Sequence, residues 1–228
     1  MNGAIPADAG NVYKPAAQNK PGIAAKLFAG FFSYLFHPVF IPLYVTSFLL
    51  FVHPAAFSGF SLNEKKQTLL IVAINIVFFP LISVLLLKAV GFIDSLFLRT
   101  QRDRIIPYIA AGIFFFWAYL VFKNQPQYPL LLTSYILGIF LASSVALIAN
   151  IYFKISMHAM GMGGWIGFFL LIARSNSMLM TWPLCIVLLL TGFVCTSRLV
   201  IRSHDQKDIY MGLLAGLVTQ FAAWIAVL

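Results

Sequence analysis

Charged residues are scarce in this sequence: Asp, Glu, Lys and Arg make up 9% of its 228 residues, and the acidic side chains number 6. A soluble domain carries far more charge, so the composition excludes that class of protein. Hydrophobic residues make up 61% of the chain, and the mean hydropathy is +0.94. The sequence therefore predicts an integral membrane protein.

Features of several other protein classes are also missing. The apolar runs are continuous and do not alternate with period two, which excludes the strands of a membrane β-barrel. Cys185 and Cys195 lie in one predicted helix, about 15 Å apart along its axis, which is too far for a disulfide. Residues 1–23 lack the basic start, apolar middle and cleavage site of a signal peptide, and we expect them to form a flexible tail.

Apolar runs close to the length that a helix needs to cross a bilayer recur along the rest of the chain. They cover 24–52, 68–92, 105–122, 129–151, 158–173, 178–196 and 208–228. We predict an all-α fold, a polytopic transmembrane helical bundle of about six to seven spans, with one domain over residues 24–228. Because Pro38 and Pro42 interrupt the first run, we expect an interfacial helix followed by a kinked span there.

If the chain crosses seven times, three polar segments lie on the same face of the membrane. They are LRTQRDRIIP (98–107), KISMHAM (154–160) and SRLVIRSHDQKD (197–208). Their cations form a cup that suits an anion, and guanidinium groups match the oxygens of phosphate. Basic residues at helix ends also hold lipid headgroups and fix topology, so both interpretations stay open for any single arginine here.

The histidines favour phosphate chemistry. His204 precedes Asp208 by one helical turn, so the carboxylate can bind one ring nitrogen and leave the other nucleophilic. His158 opens another span, where free helix amides favour anions. The glycine pairs Gly163–Gly167 and Gly212–Gly216 are expected to pack together and bring His158 towards His204.

Two other histidines, His37 and His53, stand alone near the ends of apolar runs. We expect both of them to be interfacial and not to be ligands.

The polar segments resemble the motifs of the type 2 phosphatidic acid phosphatases, integral membrane lipid phosphatases with a haloperoxidase-like helical core. The third motif of that family is Ser-Arg, five residues, His, three residues, Asp. This chain matches it at every fixed position, with Ser197, Arg198, His204 and Asp208. The resemblance covers roughly residues 93–220.

The other two motifs match less well. Of the second motif, Pro-Ser-Gly-His, the chain keeps Ser156 and His158. The first motif is Lys, six residues, Arg-Pro; aligned on Pro107, Arg99 replaces the lysine and Ile106 occupies the arginine position. Candidates for the missing guanidinium are Arg102 and Arg104.

The resemblance implies a metal-independent hydrolase of lipid phosphates with no cofactor. His204 would attack phosphorus, Asp208 would hold its tautomer, and His158 would protonate the leaving alkoxide before water cleaves the phosphohistidine. The groups implied to bind the phosphoryl oxygens are Arg198, Arg99, Arg102 or Arg104, Ser156 and Ser197. We add Lys154 to this set because it lies next to the second motif.

Two alternatives stay open beside the phosphatase. A phosphoryl transferase would use the same residues but pass the group to a lipid or sugar acceptor. Ile106 and Met157 leave room for a non-catalytic lipid-binding relative. The intact His158, His204 and Asp208 argue against it. A transporter is disfavoured because the charges lie at span ends and not near the midplane.

The expected partners are the bilayer and a membrane lipid phosphate, with no nucleic acid; the sequence predicts no particular protein partner. Phosphatidate, phosphatidylglycerophosphate and a polyprenyl diphosphate all fit as substrates. The resemblance implies an integral protein of the bacterial inner (cytoplasmic) membrane. Which side of that membrane the site faces stays open.

Overall fold

The computed structural model describes residues 21–96, 100–175 and 178–228, and the regular structure in these ranges is helical throughout. Eight helices lie in the described residues. Their bounds are α1 Ile23–Leu35, α2 Ile41–Phe51, α3 Leu62–Ala89, α4 Gln101–Lys123, α5 Leu130–Tyr152, α6 Met157–Arg174, α7 Thr181–Val200 and α8 Gln206–Val227. The all-α prediction is confirmed. Of the predicted tail, residues 1–20 lie outside the described ranges.

Five of these helices, α3, α4, α5, α7 and α8, are long and apolar enough to cross a membrane. The protein is therefore an integral membrane protein. The sequence predicts six to seven spans, whereas the described residues hold five helices of this kind. The difference comes from α1 and α2, which are short, and from α6, whose 18 residues carry His158 near one end and Arg174 at the other.

The first predicted run divides into α1 and α2 at a corner over residues 36–40. Pro38 has no amide hydrogen and disfavours helical backbone at the residue before it, His37. Pro42 lies in the first turn of α2, where a missing amide hydrogen costs little. The corner therefore leaves His37 outside regular structure, between two helices.

Helix α3 contains a π-helical segment, Ala73–Phe78, just ahead of Pro80. Proline lacks the amide that would bond to the carbonyl four residues earlier, and its ring crowds that carbonyl. The wider π-helical turn relieves this crowding. The half of α3 before the π-helical segment packs on α2, and the half after it packs on α4.

Helix α8 packs between α6 on one side and α5 on the other. The contact with α6 is a contact between backbones. A Cβ atom added at Gly216 would meet the carbonyl oxygen of Met160 and lie 2.7 Å from the amide nitrogen of Gly164. One added at Gly212 would lie 2.6 Å from the carbonyl oxygen of Ser156. Only glycine permits this approach.

The glycines of α6 complete the same contact, because Gly163 and Gly167 face backbone atoms of α8. The prediction that the two glycine pairs pack together is confirmed. Helices α6 and α8 also begin at the same end of the bundle, where the amide of Ser156 donates to the carbonyl of Asp208 over 3.2 Å. The contact therefore sets the relative position of the two helix starts.

We expect alanine at Gly216 to destabilise the protein by about 1–3 kcal/mol, because the added methyl group overlaps backbone atoms that cannot rotate away. The matched control is alanine at Gly192 on α7, where an added Cβ has no described atom within 4 Å. Thermal unfolding of both variants in detergent micelles measures the difference. Equal unfolding midpoints for the two variants would contradict the close backbone contact.

Candidate functional site

The three predicted polar segments meet at one end of the bundle. Nζ of Lys154 donates to the carbonyl of Ser203 over 2.7 Å, which ties the α5–α6 turn to the α7–α8 turn. Nδ2 of Asn150, at the end of α5, donates to the carbonyl of Gln101 over 2.8 Å, which ties α5 to the start of α4. The prediction that these segments share a face is confirmed.

The turn between α7 and α8 fixes where His204 lies. Arg202 has a φ of 55°, in the left-handed region. Its amide donates to Leu199 over 2.9 Å, and the amide of Ser203 donates to the carbonyl of Arg198 over 3.2 Å, the paired bonds of a Schellman motif. A non-glycine residue in this conformation costs about 1–2 kcal/mol. His204 therefore follows a strained, well-bonded helix cap.

His204 and Asp208 form the pair that the spacing predicts. Nδ1 of His204 lies 3.0 Å from Oδ2 of Asp208, and the amide of Asp205 donates to the same oxygen over 3.4 Å. An ionised carboxylate can only accept, so Nδ1 carries the proton in this contact and Nε2 keeps its lone pair. The two side chains are 7% and 19% exposed. The predicted contact is confirmed.

The surroundings keep His204 neutral. Burial lowers the pKa of His204 from its usual value of 6.5; the hydrogen bond with Asp208 opposes the shift, and the charges of Lys154 and Arg198 add to it. At pH 7 the ring is therefore in its nucleophilic form. Because the folded protein disfavours the protonated ring, the contribution of His204 to stability falls as the pH drops below 6.5.

His158, on the first turn of α6, is held by the end of α1. Its Nε2 lies 3.0 Å from the carbonyl oxygen of Ser33. Since a carbonyl oxygen can only accept, Nε2 carries a proton and donates it, and Nδ1 is the ring nitrogen left for other chemistry. Helix α1 therefore contributes directly to the site.

His37 also packs against His158, with ring centroids 5.2 Å apart and ring planes at 84°. Burial lowers the pKa of His37, and the charge of Arg198 adds to the shift. The sequence predicts that His37 is interfacial and not a ligand, whereas the structure places it against His158. No motif marks this residue; the available signal was Pro38, which turns the chain back towards α6.

Arg198 lies on the last turn of α7, where its charge acts on His204 and His37. The side chain is half-buried, and its Nε atom has no hydrogen-bond partner in the described part of the chain. A buried donor left unpaired costs about 1–3 kcal/mol, and more when it is charged. A phosphoryl oxygen would satisfy this donor.

The two predicted phosphate-binding serines form hydrogen bonds within their own helices. Oγ of Ser197 donates to the carbonyl of Phe193 over 2.7 Å, and Oγ of Ser156 accepts from the amide of Ala159 over 3.4 Å as the N-cap of α6. Both serines are buried. These bonds show that each serine stabilises its own helix. The predicted contact of the two serines with phosphate stays a prediction.

The remaining predicted cations differ in their placement. Arg102 is exposed and Arg104 is half-buried, both in the first turns of α4, and Lys154 is exposed on the α5–α6 turn. Arg99 lies outside the described residues. The choice between Arg102 and Arg104 as the substitute for the missing motif arginine stays a prediction.

An apolar groove of about 820 Å³ runs between α1 and α7. The residues lining it include Ala25, Phe28, Leu188, Leu189, Gly192 and Phe193. At one end it reaches Ser197, which is followed in the chain by Arg198. A hydrocarbon chain lying in this groove would therefore end next to the cationic site.

Within residues 21–96, 100–175 and 178–228, no three His, Cys, Asp or Glu side chains are grouped closely enough to hold a metal ion. The groups brought together are three imidazoles, one guanidinium, one ammonium and the carboxylate of Asp208. This set can offer a nucleophile, a proton donor and anion-binding cations.

Comparisons with known proteins do not identify a relative: no protein-family model, no curated protein and no solved structure matches the chain. The resemblance to the lipid phosphatases therefore depends on the motif residues themselves and on the way they converge.

Proposed function

We propose that the protein is an integral membrane phosphatase that hydrolyses the phosphoester of a lipid phosphate through a phosphohistidine on His204. The observation that supports this most is the 3.0 Å contact between Nδ1 of His204 and Oδ2 of Asp208. It leaves Nε2 as a nucleophile near the unpartnered Nε of Arg198. A nucleophile, its orienting group and an anion-binding donor are the parts that covalent phosphoryl transfer needs.

In the first step, Nε2 of His204 attacks phosphorus, and the P–N bond forms as the P–O bond to the lipid breaks. Burial and the charge of Arg198 lower the pKa of His158 to about 3, so its ring is neutral and carries its proton on Nε2, bonded to Ser33. Nδ1 therefore takes up the proton of the lipid phosphate monoanion and passes it to the departing alkoxide. In the second step His158 takes a proton from water, the oxygen of that water attacks phosphorus, and the P–N bond breaks. Asp208 stabilises the positive ring that exists between the steps.

The cations stabilise the charge on the non-reacting phosphoryl oxygens. Arg198 carries most of this role because a half-buried guanidinium acts through a lower dielectric than an exposed one. Lys154 and one of Arg102 and Arg104 add contacts from the rim, and Arg99 is assigned there from its motif position. We assign Arg198 and Lys154 to the phosphate and not to free lipid headgroups because the charges of both act on His204.

A lipid substrate is supported by the apolar groove between α1 and α7, whose lining includes Ser197 and Val200 at the end of α7 that carries Arg198. The hydrocarbon chain would stay in this groove while the phosphate reaches the cations at the helix ends. From the motif resemblance, we place the protein in the inner membrane of a bacterium.

Asparagine at His204 removes the nucleophile, and we expect phosphate release from a lipid phosphate to fall at least about a thousandfold. The acid-labile label that a radioactive phosphate leaves on the wild-type protein should also disappear. The control is His53→Asn, because His53 lies after α2 and its ring accepts bonds from backbone amides. Retained turnover in H204N would overturn the proposal, and capture of the phosphate by an added alcohol would indicate a transferase.

Asparagine at Asp208 should shift the pH profile in a defined direction. The hydrogen bond and the charge of Asp208 both raise the pKa of His204, so their loss lowers that pKa. The acidic limb of kcat/KM should therefore move to lower pH, and the plateau should fall by up to about 10⁴-fold because the tautomer is no longer held. Measuring both proteins on one substrate cancels the ionisation of the phosphate. A limb that moves to higher pH would contradict the assignment.

Phenylalanine at Gly192 should test the groove, because the position opens into it and an added Cβ meets no described atom within 4 Å. We expect KM for a long-chain lipid phosphate to rise while kcat/KM for a short water-soluble phosphate ester stays at the wild-type value. Steady-state kinetics in mixed micelles measures both. An unchanged KM for the long-chain substrate would exclude the groove as its binding site.

A further inference from the structure

Helix α1 and the corner that follows it contact the His158 ring at two places. The carbonyl oxygen of Ser33 accepts from Nε2 of His158 over 3.0 Å. The ring of His37 lies edge-on to the same imidazole, at a centroid distance of 5.2 Å. Both contacts come from a part of the chain that contains none of the three motifs.

The ring of His37 is itself fixed by the corner. Its Nδ1 accepts from the amide of Val39 over 3.4 Å. In the neutral ring the proton is therefore on Nε2. Pro38, between these two residues, restricts the backbone that makes the contact. His37 thus presents one orientation and one tautomer to His158.

We propose that His37 is a positioning residue that acts through His158, holding its imidazole so that Nδ1 faces the scissile oxygen. This inference rests on the proposed function, in which Nδ1 of His158 passes a proton to the leaving group. His37 does not touch phosphorus in this arrangement. Its ring contacts one side of the His158 imidazole, and the carbonyl of Ser33 contacts the ring at Nε2.

The charges around His158 explain why the residue packed against it, His37, is a histidine and not a permanent cation. The charged and titratable groups acting on His158 are Arg198 from α7, His37 from the corner and His204 from the α7–α8 turn. A lysine or arginine at position 37 would add a permanent cation beside the group that must hold a proton. A neutral imidazole packs against His158 without adding such a charge, in a site where burial, Arg198 and His37 already lower the pKa of His158 to about 3.

The test is His37→Asn, with His53→Asn as the matched control. Nδ1 of both histidines accepts from the amide two residues later, Val39 in one case and Ala55 in the other. The asparagine oxygen can keep that bond, so each variant removes a ring and preserves a turn. The two variants are compared on p-nitrophenyl phosphate, whose leaving group needs little protonation, and on a short alkyl phosphate, whose leaving group needs a proton.

We expect H37N to lower kcat/KM for the alkyl phosphate by about tenfold or more and to change kcat/KM for p-nitrophenyl phosphate much less. H158N should show the same selective loss in stronger form, and H53N should match the wild type on both substrates. A merely structural defect lowers both values equally, because it reduces the amount of competent protein. Thermal unfolding of H37N and H53N measures that contribution separately.

The failures are distinguishable. A wild-type protein that hydrolyses neither ester would refute the proposed function and the inference with it. Two outcomes with an active wild type would refute the role of His37 and leave the proposed function standing. In the first, kcat/KM of H37N equals that of H53N; in the second, kcat/KM of H37N falls by the same factor on both esters.

Discussion

The backbone contact between α6 and α8 is the constraint on which the site depends. Because Gly212 and Gly216 carry no side chain, the two helices approach until the amide of Ser156 reaches the carbonyl of Asp208. The first turns of both helices are thereby held at the same level. His158 belongs to one of these turns and Asp208, which binds His204, to the other, so the two imidazoles of the proposed mechanism come from distant segments to one end of the bundle.

Positive charge that the described residues leave unsatisfied is the feature on which the proposed phosphate binding rests. The carboxylate of Asp208 is already bonded to His204 and to the amide of Asp205. Arg198 keeps a buried donor without a described partner. The neighbouring imidazoles tolerate the guanidinium because burial favours their neutral forms, as at His204 and His37. A phosphate group would compensate the charge without further rearrangement of these contacts.

The spacing of residues along the sequence predicted the features that depend on the geometry of one helix. The four-residue step from His204 to Asp208 and the glycine pairs fix faces of helices, and faces follow from the helical period alone. His37 was missed because its place depends on how a proline corner folds back onto α6, which no local pattern encodes. The split of the first apolar run was only partly foreseen. The hydroxyl of Ser197 donates to a helix carbonyl, and its predicted contact with phosphate stays a prediction.

The π-helical segment of α3 has a consequence for the rest of the bundle. A π-helical turn is wider than an α-helical one, so it rotates the two halves of a helix relative to each other. The early half of α3 consequently faces α2, and the later half faces α4. Helix α3 thus connects α2, which follows His37, with α4, which carries Arg102 and Arg104. Because α3 packs on both neighbours, a tilt of α2 would also act on α4.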